Sequence, residues 1–173
     1  MTETVREAST VEDYAAFGAL VVEYWDWLLA RYAVDAPGFM EAVRSHQSLD
    51  DELASLPSRY GPPEGRALLA EDDGELRGVI ALHDLHDGSC EMKRMFVPER
   101  FQGRGTGRRL VQALVEVARA DGYALMRLDT GYLNTEAMAM YAGLGFTPCG
   151  PYQDYPQDIV GQLRFMQLPL EPS

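Results

Sequence analysis

Three groups of residues in this chain have the types and spacing to do chemistry. The first is Val97-Pro98-Glu99-Arg100-Phe101-Gln102-Gly103-Arg104-Gly105-Thr106-Gly107-Arg108, with glycines alternating at 103, 105 and 107. Glycine bends without a Cβ clash, so such a run lets backbone N–H groups converge on an anion at the start of a following helix, where the helix dipole also favours negative charge. Arg108 and Arg109 stand in that helix's first turn, where the dipole disfavours cations, and a bound polyanion removes the conflict. Lys93, Arg94, Arg100, Arg104, Arg108 and Arg109 all fall between 93 and 109 in a chain of net charge -12. Spacing excludes two familiar phosphate loops. G-x-x-x-x-G-K-[ST] is missing, and a dinucleotide fingerprint begun at Gly103 needs glycine where Arg108 stands.

The second group is Asn134, Met138 and Tyr141, spaced i, i+4, i+7 and so on one face of a helix. An asparagine that reaches a ligand from that face brings the tyrosine hydroxyl near it; the plainer alternative is a core tyrosine with its hydroxyl satisfied. The third group is Glu91 with Lys93. Residues two or four apart on a strand share a face, so Glu91 is expected on the side of Lys93 and Met95, where Lys93 would hold it ionised. No G-x-S-x-G and no Cys–His arrangement supports a covalent acyl-enzyme. His46, His83 and His86 form no H-E-x-x-H, and Cys90 and Cys149 are not at finger spacing, so no metal site is expected.

The elements that position these groups follow from hydrophobic period and turn chemistry. Residues 3 to 8 read as a strand, and Thr10 with Asp13 starts a helix carrying Tyr14, Phe17, Val21, Tyr24 and Leu28. A second helix is expected near Phe39 to Leu56, after which Pro57, Pro62 and Pro63 forbid further helix. Arg66 to Glu71, Glu75 to Asp84 and Ser89 to Val97 form an antiparallel meander turned at Asp73-Gly74 and Asp87-Gly88. A helix from Gly107, a strand Ala124 to Thr130, a helix Asn134 to Gly143, a strand Phe146 to Cys149, a polar loop and a strand Gln162 to Leu170 complete the order β-α-α-β-β-β-α-β-α-β-β. The fold class is therefore α/β (α+β).

Length and composition bound the function. A chain of 173 residues with 46% hydrophobic content is long enough to bury a core without disulfides or a structural metal. Its acidity argues against nucleic acid, which needs clustered basic residues on an exposed face. No apolar run is long enough to span a bilayer and the first residues lack a signal-peptide pattern, so the expectation is a cytoplasmic protein without a membrane partner.

Q-x-x-G-x-G, carried by Gln102, Gly105 and Gly107 after a strand ending Met95-Phe96-Val97, resembles the pyrophosphate loop of the GCN5-related N-acetyltransferase (GNAT) family. Downstream, Leu128-Asp129-Thr130, then Asn134, then Tyr141-Ala142-Gly143-Leu144-Gly145-Phe146 is similar to that family's N-x(6)-Y-x-x-L-G-F half, and the element order fits from about residue 3 to 170. CEMKRMFVPERFQGRGTG is especially similar to small bacterial members. The resemblance implies one GNAT-like domain over 1–173, with a mixed central sheet of about seven strands flanked by helices on both faces. Its cofactor half would lie at about 88–150, and its acceptor side in helices about 10–56 and the loop about 150–161.

It further implies acetyl-CoA as cosubstrate. The backbone of Met95, Phe96 and Val97 would pair with pantetheine, with an oxyanion held by an N–H near Val97. Gln102, Gly103, Arg104, Gly105, Thr106, Gly107 and Arg108 would cradle the pyrophosphate, with Asn134 reaching the cofactor. Tyr141 would be the acid and Glu91 the base, unless a water chain takes that role. The expected reaction is direct attack by a small primary amine in a ternary complex. Tyr24, Trp25, Trp27, Tyr32, Tyr152 and Tyr155 would supply aromatic surface, and Glu23, Asp26, Asp154 and Asp158 would attract a cation. Open alternatives are a protein or peptide N-terminus as acceptor, a non-catalytic acetyl-CoA-binding module, and an interaction protein with a vestigial loop. The oligomeric expectation is a monomer or homodimer.

Overall fold

The computed structural model of the chain describes residues 2–171. After β1 (Thr4–Glu7), helix α1 (Val11–Tyr32) begins at a capping box in which Thr10 Oγ1 accepts from Asp13 N and Asp13 Oδ2 accepts from Thr10 N, both at 3.1 Å. Its apolar stripe, Phe17, Val21, Trp25 and Tyr32, is buried. The single helix expected near Phe39 to Leu56 is instead three: α2 (Pro37–His46), α3 (Leu49–Ala54) and α4 (Leu56–Tyr60). Ser48 restarts the chain by capping Asp51 N at 3.2 Å. Pro57 does not end helix here. It sits in the first turn of α4, where its missing N–H would have had no intrahelical partner.

The meander is β2 (Gly65–Asp72), β3 (Glu75–Asp84) and β4 (Ser89–Phe96), followed by a 3-10 turn (Glu99–Phe101) and α5 (Thr106–Ala120). Then come β5 (Leu125–Gly131), α6 (Thr135–Gly143), β6 (Thr147–Cys149), α7 (Gln157–Val160) and β7 (Leu163–Pro169). The one-turn α7 lies in the segment read as polar loop, where four residues carry too little periodicity to show. The seven strands form one mixed sheet in the order β1-β2-β3-β4-β5-β7-β6. Every pairing is antiparallel except β4 with β5, whose crossover is α5. One face packs Leu68, Ile80, Met92 and Met126 against Leu110 and Leu114 of α5. The other packs Leu69, Val79, Ala81 and Phe96 against Phe17, Val21 and Trp25 of α1 and against α2 and α4.

Two irregularities in β4 shape everything near it. Its pairing with β5 stops at Glu91 opposite Arg127, although β5 stays paired with β7 as far as Gly131 and β4 stays paired with β3 as far as Phe96. The strands diverge and leave a cleft between them. The second is a bulge. Ala81 faces Lys93 but Val79 faces Phe96, so two steps along β3 match three along β4, and Arg94 takes a left-handed φ of 57°. The extra residue flips the alternation: Met95 joins the α5 cluster while Phe96 joins the α1 cluster. The expectation that Glu91 and Met95 share a face is therefore wrong, because it assumed an unbroken period of two.

The end of β5 is equally constrained. A Cβ on Gly131 would lie 2.0 Å from the hydroxyl of the fully buried Tyr32, which accepts from Leu133 N at 3.1 Å and so fixes the turn into α6. Gly131→Ala is expected to cost about 1–3 kcal/mol by overpacking, lowering the melting temperature by roughly 3–9 °C. Calorimetric melting within 1 °C of the parent would show that Tyr32 can yield.

Candidate active site

The cleft between β4 and β5 opens into two cavities on opposite sides of a shared partition. The smaller, of about 430 Å³, runs from Met95, Phe96 and Val97 along the glycine loop to α5 and α6. Gly103 and Gly105 there adopt φ of 78° and 81°, a region that costs glycine little. Gly105 is the N-cap of α5, which has no side-chain cap and no acidic residue in its first turn, so its leading N–H groups face an anion's place unopposed. Gln102 Nε2 donates to Val97 O at 2.9 Å and ties the loop to the strand end. Gly107 and Thr106 also line this cavity, with Thr106 Oγ1 donating to Glu3 Oε2 at 2.6 Å.

The six clustered cations separate once folded. Arg100 pairs with Glu23, and Arg109 with Glu3 at 2.8 Å. Lys93 and Arg94 point away from the loop, into the other cavity. Arg104 and Arg108 remain exposed beside the glycines, without an ion pair among the described residues. The reading that all six cations lie near the loop is corrected: Lys93 keeps Glu91's face by alternation, and the bulge turns Arg94 to that same side.

The larger cavity, of about 740 Å³, is floored by β4 and β5 and walled by α1 to α4 and the segment before β7. On its floor Glu91, 1% exposed, is held by three donors: Lys93 Nζ at 3.2 Å, Tyr152 hydroxyl at 2.9 Å, and His83 Nε2 at 2.5 Å. Lys93 also reaches Asp129 Oδ2 at 3.6 Å, and Tyr155 donates to that oxygen at 3.1 Å. Burial alone would push the Glu91 carboxyl up, but Lys93 and His83 hold it well below the usual carboxylate range. Asp129 is pushed up by burial and by the charge on Glu91, with Lys93 opposing. On the wall Arg94 donates from Nε and Nη2 to Glu52 at 2.7 and 2.5 Å, and Tyr60 donates to the same carboxylate at 3.0 Å.

Tyr24, Met95, Thr130, Asn134 and Tyr141 line both cavities and form the partition. Tyr141 is 5% exposed, its ring centroid 5.7 Å from that of Phe146, and its hydroxyl has no hydrogen-bond partner among the described residues. Burial pushes this phenol far up, so it stays protonated at every ordinary pH. Asn134 donates through Nδ2 to Thr130 Oγ1 at 2.9 Å, which leaves its buried Oδ1 unpaired. An orphaned buried acceptor costs about 1–3 kcal/mol and marks a place where a ligand N–H fits.

Several expected acceptor residues lie elsewhere. Glu23 is spent on Arg100, Asp26 is exposed, and neither lines a cavity. Trp27 belongs to the smaller cavity, donating to Glu99 at 3.2 Å, and Tyr152 stands behind Glu91. Asp158 pairs with His46 at 3.0 Å, while Tyr24, Trp25, Tyr32, Asp154 and Tyr155 do line the larger cavity. Sequence reading missed His83, Glu52 and Asp129 as site groups. Only His83 left a signal: counting outward from the turn between Asp84 and Ser89 puts it opposite Glu91.

Residues 21–146 match the model of the Acetyltransferase (GNAT) family. The chain belongs to that family. An uncharacterized N-acetyltransferase of Schizosaccharomyces pombe is 34% identical over 155 residues, covering 88% of each chain, and an IAA acetyltransferase of Azospirillum brasilense is 36% identical over 109 residues, covering 62% of this chain and 70% of that one. Among solved structures, the PaiA N-acetyltransferase of Thermoplasma acidophilum in complex with coenzyme A superposes with a TM-score of 0.73 at 20% identity, over 98% of this chain and 99% of that one. The YncA putative acetyltransferase of Salmonella typhimurium with its cofactor acetyl-CoA gives 0.70 at 24% identity, over 100% and 96%. The seven-stranded sheet is thus a GNAT fold. The described residues of this GNAT domain contain no group of three His, Cys, Asp or Glu side chains able to hold a metal, and no helix long and apolar enough to cross a membrane.

The Glu91 cluster has a stability signature. A carboxyl held below its unfolded value near 4.5 adds stability that is present above that pH and is lost as pH falls through the folded value. The stability gap between the parent and Glu91→Gln should therefore be fully open at pH 6 and close progressively below about 4.5. Denaturant titrations at pH 6 and pH 3 that give the same gap would show Glu91 not to be the group responsible.

Proposed function

We propose that this acetyltransferase moves the acetyl group of acetyl-CoA onto a primary amine held in the larger cavity. The observation that carries the reading is the partition: the unpartnered hydroxyl of the buried Tyr141 stands where a glycine-loop cavity meets a cavity lined by titratable groups. The loop of Gln102, Gly103, Arg104, Gly105, Thr106, Gly107 and Arg108 offers uncapped N–H groups and two free guanidiniums to the pyrophosphate. The strand edge of Met95, Phe96 and Val97, unpaired on its β5 side, offers backbone partners to the pantetheine amides, and Asn134 Oδ1 a further acceptor. Acetyl-CoA supplies the thioester.

In the transfer a neutral amine nitrogen bonds to the acyl carbon, the carbon–sulfur bond breaks, the amine gives up a proton and the departing thiolate takes one. Tyr141 is suited to give that proton, being buried and always protonated. Glu91 is a weak proton acceptor, since three donors already hold its charge. It acts instead as a positioning residue. A carboxylate can only accept, so His83 Nε2 donates to it; in the neutral ring this leaves the lone pair on Nδ1, and His83 lines the cavity as a candidate to receive the amine's proton. Neither cysteine suits an acyl-enzyme route. Cys90 is fully buried, its thiol pushed up to about 12 by burial, and burial raises Cys149 as well. An acceptor cavity of about 740 Å³ suits a small molecule.

Two substitutions test the reading. Tyr141→Phe should lower kcat by roughly 100-fold while leaving coenzyme A affinity nearly unchanged; equal turnover would reduce Tyr141 to packing. The nearest atoms to a Cβ at Gly107 are the flexible ends of Met140, Sδ at 3.4 Å and Cε at 3.8 Å, and of Met95, Sδ at 3.6 Å, so Gly107→Glu should fold. Its carboxylate would then oppose the pyrophosphate, and calorimetry should find coenzyme A binding weakened by about 100-fold or more. Retained affinity would place the cofactor elsewhere.

A further inference from the structure

The wall of the larger cavity holds an arrangement that acyl transfer to a simple amine does not require. Arg94 is 12% exposed at its side chain, occupies a left-handed backbone position that a non-glycine residue rarely takes, and is buried against Glu52, which is 3% exposed. Burying an ion pair gains little stability over apolar side chains of the same volume, so this one, set in a strained position, is weakly explained by folding alone. Its geometry leaves a directed donor. Nε and Nη2 are spent on the two oxygens of Glu52, Tyr60 secures that carboxylate from behind, and Trp25 stands 5.6 Å from the guanidinium carbon. Nη1 has no partner among the described residues and is not sealed off from the cavity that Arg94 lines.

Arg59, at the end of α4, lines the same wall, is exposed, and has no ion pair among the described residues. Its field also reaches Glu52 and helps hold that carboxyl down. Two guanidiniums therefore share one carboxylate on the wall, a surplus of one positive charge. On the floor Glu91 and Asp129 share Lys93, a surplus of one negative charge. Asp51 and Asp154 also border the cavity and, like Arg59, are exposed, where solvent screens them. Of the less exposed charges, Arg94 and Glu52 offset each other on the wall while Glu91 and Asp129 outnumber Lys93 on the floor, so the floor is the more negative side and the exposed Arg59 adds positive charge to the wall.

Resting on the acyl-transfer reading above, we infer that the acceptor carries a carboxylate beside its reactive amine, that Arg94 and Arg59 bind this carboxylate, and that the acceptor is a free amino acid rather than a polyamine or other purely cationic amine. The planar guanidinium fork matches a carboxylate, and the negative floor receives the ammonium before it is deprotonated. The steering of small cations expected from the acidic surface stops at the cavity mouth, because Lys93 and Arg94 lie inside it. No bond other than those of the acetyl transfer is made or broken.

The test is release of coenzyme A from acetyl-CoA with the full chain. Each of the common amino acids is compared with its α-carboxamide and its decarboxylated amine. The best acceptor should favour the acid by about 100-fold or more in kcat/KM, since a site built for a hydrogen-bonded group rejects the analogue lacking it. Removing Arg94 strands Glu52 and endangers folding, so the deciding variant is Arg59→Gln at an exposed position. It should cut the acid-over-amide preference about tenfold, mainly through KM. In thermal melts with coenzyme A bound, the acid should raise the melting temperature more than the amide does, and by less in Arg59→Gln. Amides or decarboxylated amines that react as well as acids, or an unchanged preference in Arg59→Gln, overturn the inference and leave acyl transfer standing. Coenzyme A binding without transfer to any amine overturns both.

Discussion

At Glu91 and Arg127 the parallel ladder between β4 and β5 ends, while each strand keeps its partner on the other side. A sheet can open in this way only if the outer ladders carry both strands past the break, and the seven-stranded order supplies that support. The result is a stretch of backbone in the middle of a sheet whose N–H and C=O groups on one side have no strand to meet. Such groups are costly to bury unpaired, so the opening is also a demand for an extended ligand. The glycine loop, the uncapped start of α5 and the orphaned Oδ1 of Asn134 extend the same demand along one line from strand end to helix end.

The bulge decides what faces each side of that opening. Without it Lys93 and Met95 would point together and Arg94 would point toward α5, into an apolar cluster with no carboxylate to receive it. With it, Lys93 and Arg94 are both delivered to the cavity under α1 to α4, where Glu91, Asp129 and Glu52 can neutralise them. Met95 turns instead to pack beside Gly107. One inserted residue in the pairing thus separates the polar chamber from the glycine loop.

Legibility in the sequence followed the range of the determining interactions. The glycine loop, the capping box at Thr10 and the shared face of Asn134 and Tyr141 are set by neighbours within a few residues, and each could be read from spacing. The pairing of Lys93 with Glu91 was legible for the same reason. Arg94 with Glu52 joins residues 42 apart through a bulge that no local pattern announces. The grouping of six cations around the loop failed for that reason, since proximity in sequence says nothing about side once the period of two is interrupted. The break at Ser48 was missed because the apolar pattern was read straight through it, and α4 was missed because Pro57 was read as a breaker, whereas at a helix start both residues are favourable.

On the proposed roles, the partition between the chambers suits a tyrosine as the acid. A group meant to protonate a thiolate must keep its proton while a cluster of charged side chains stands on the floor of the adjoining chamber. A carboxylic acid starts at about 4 in water, so burial would first have to carry it through the neutral range before it kept its proton. A phenol already near 10 in water is pushed only upward by burial, and at Tyr141 burial is the dominant influence. Tyr24 is half-buried on the same partition and shifted in the same direction, but Arg94 and Lys93 pull it back, whereas neither is among the influences on Tyr141. The charged groups are held to the floor and wall, and Tyr141 stands in the least charged part of the site. Placement of charge, more than identity of residue, assigns the roles.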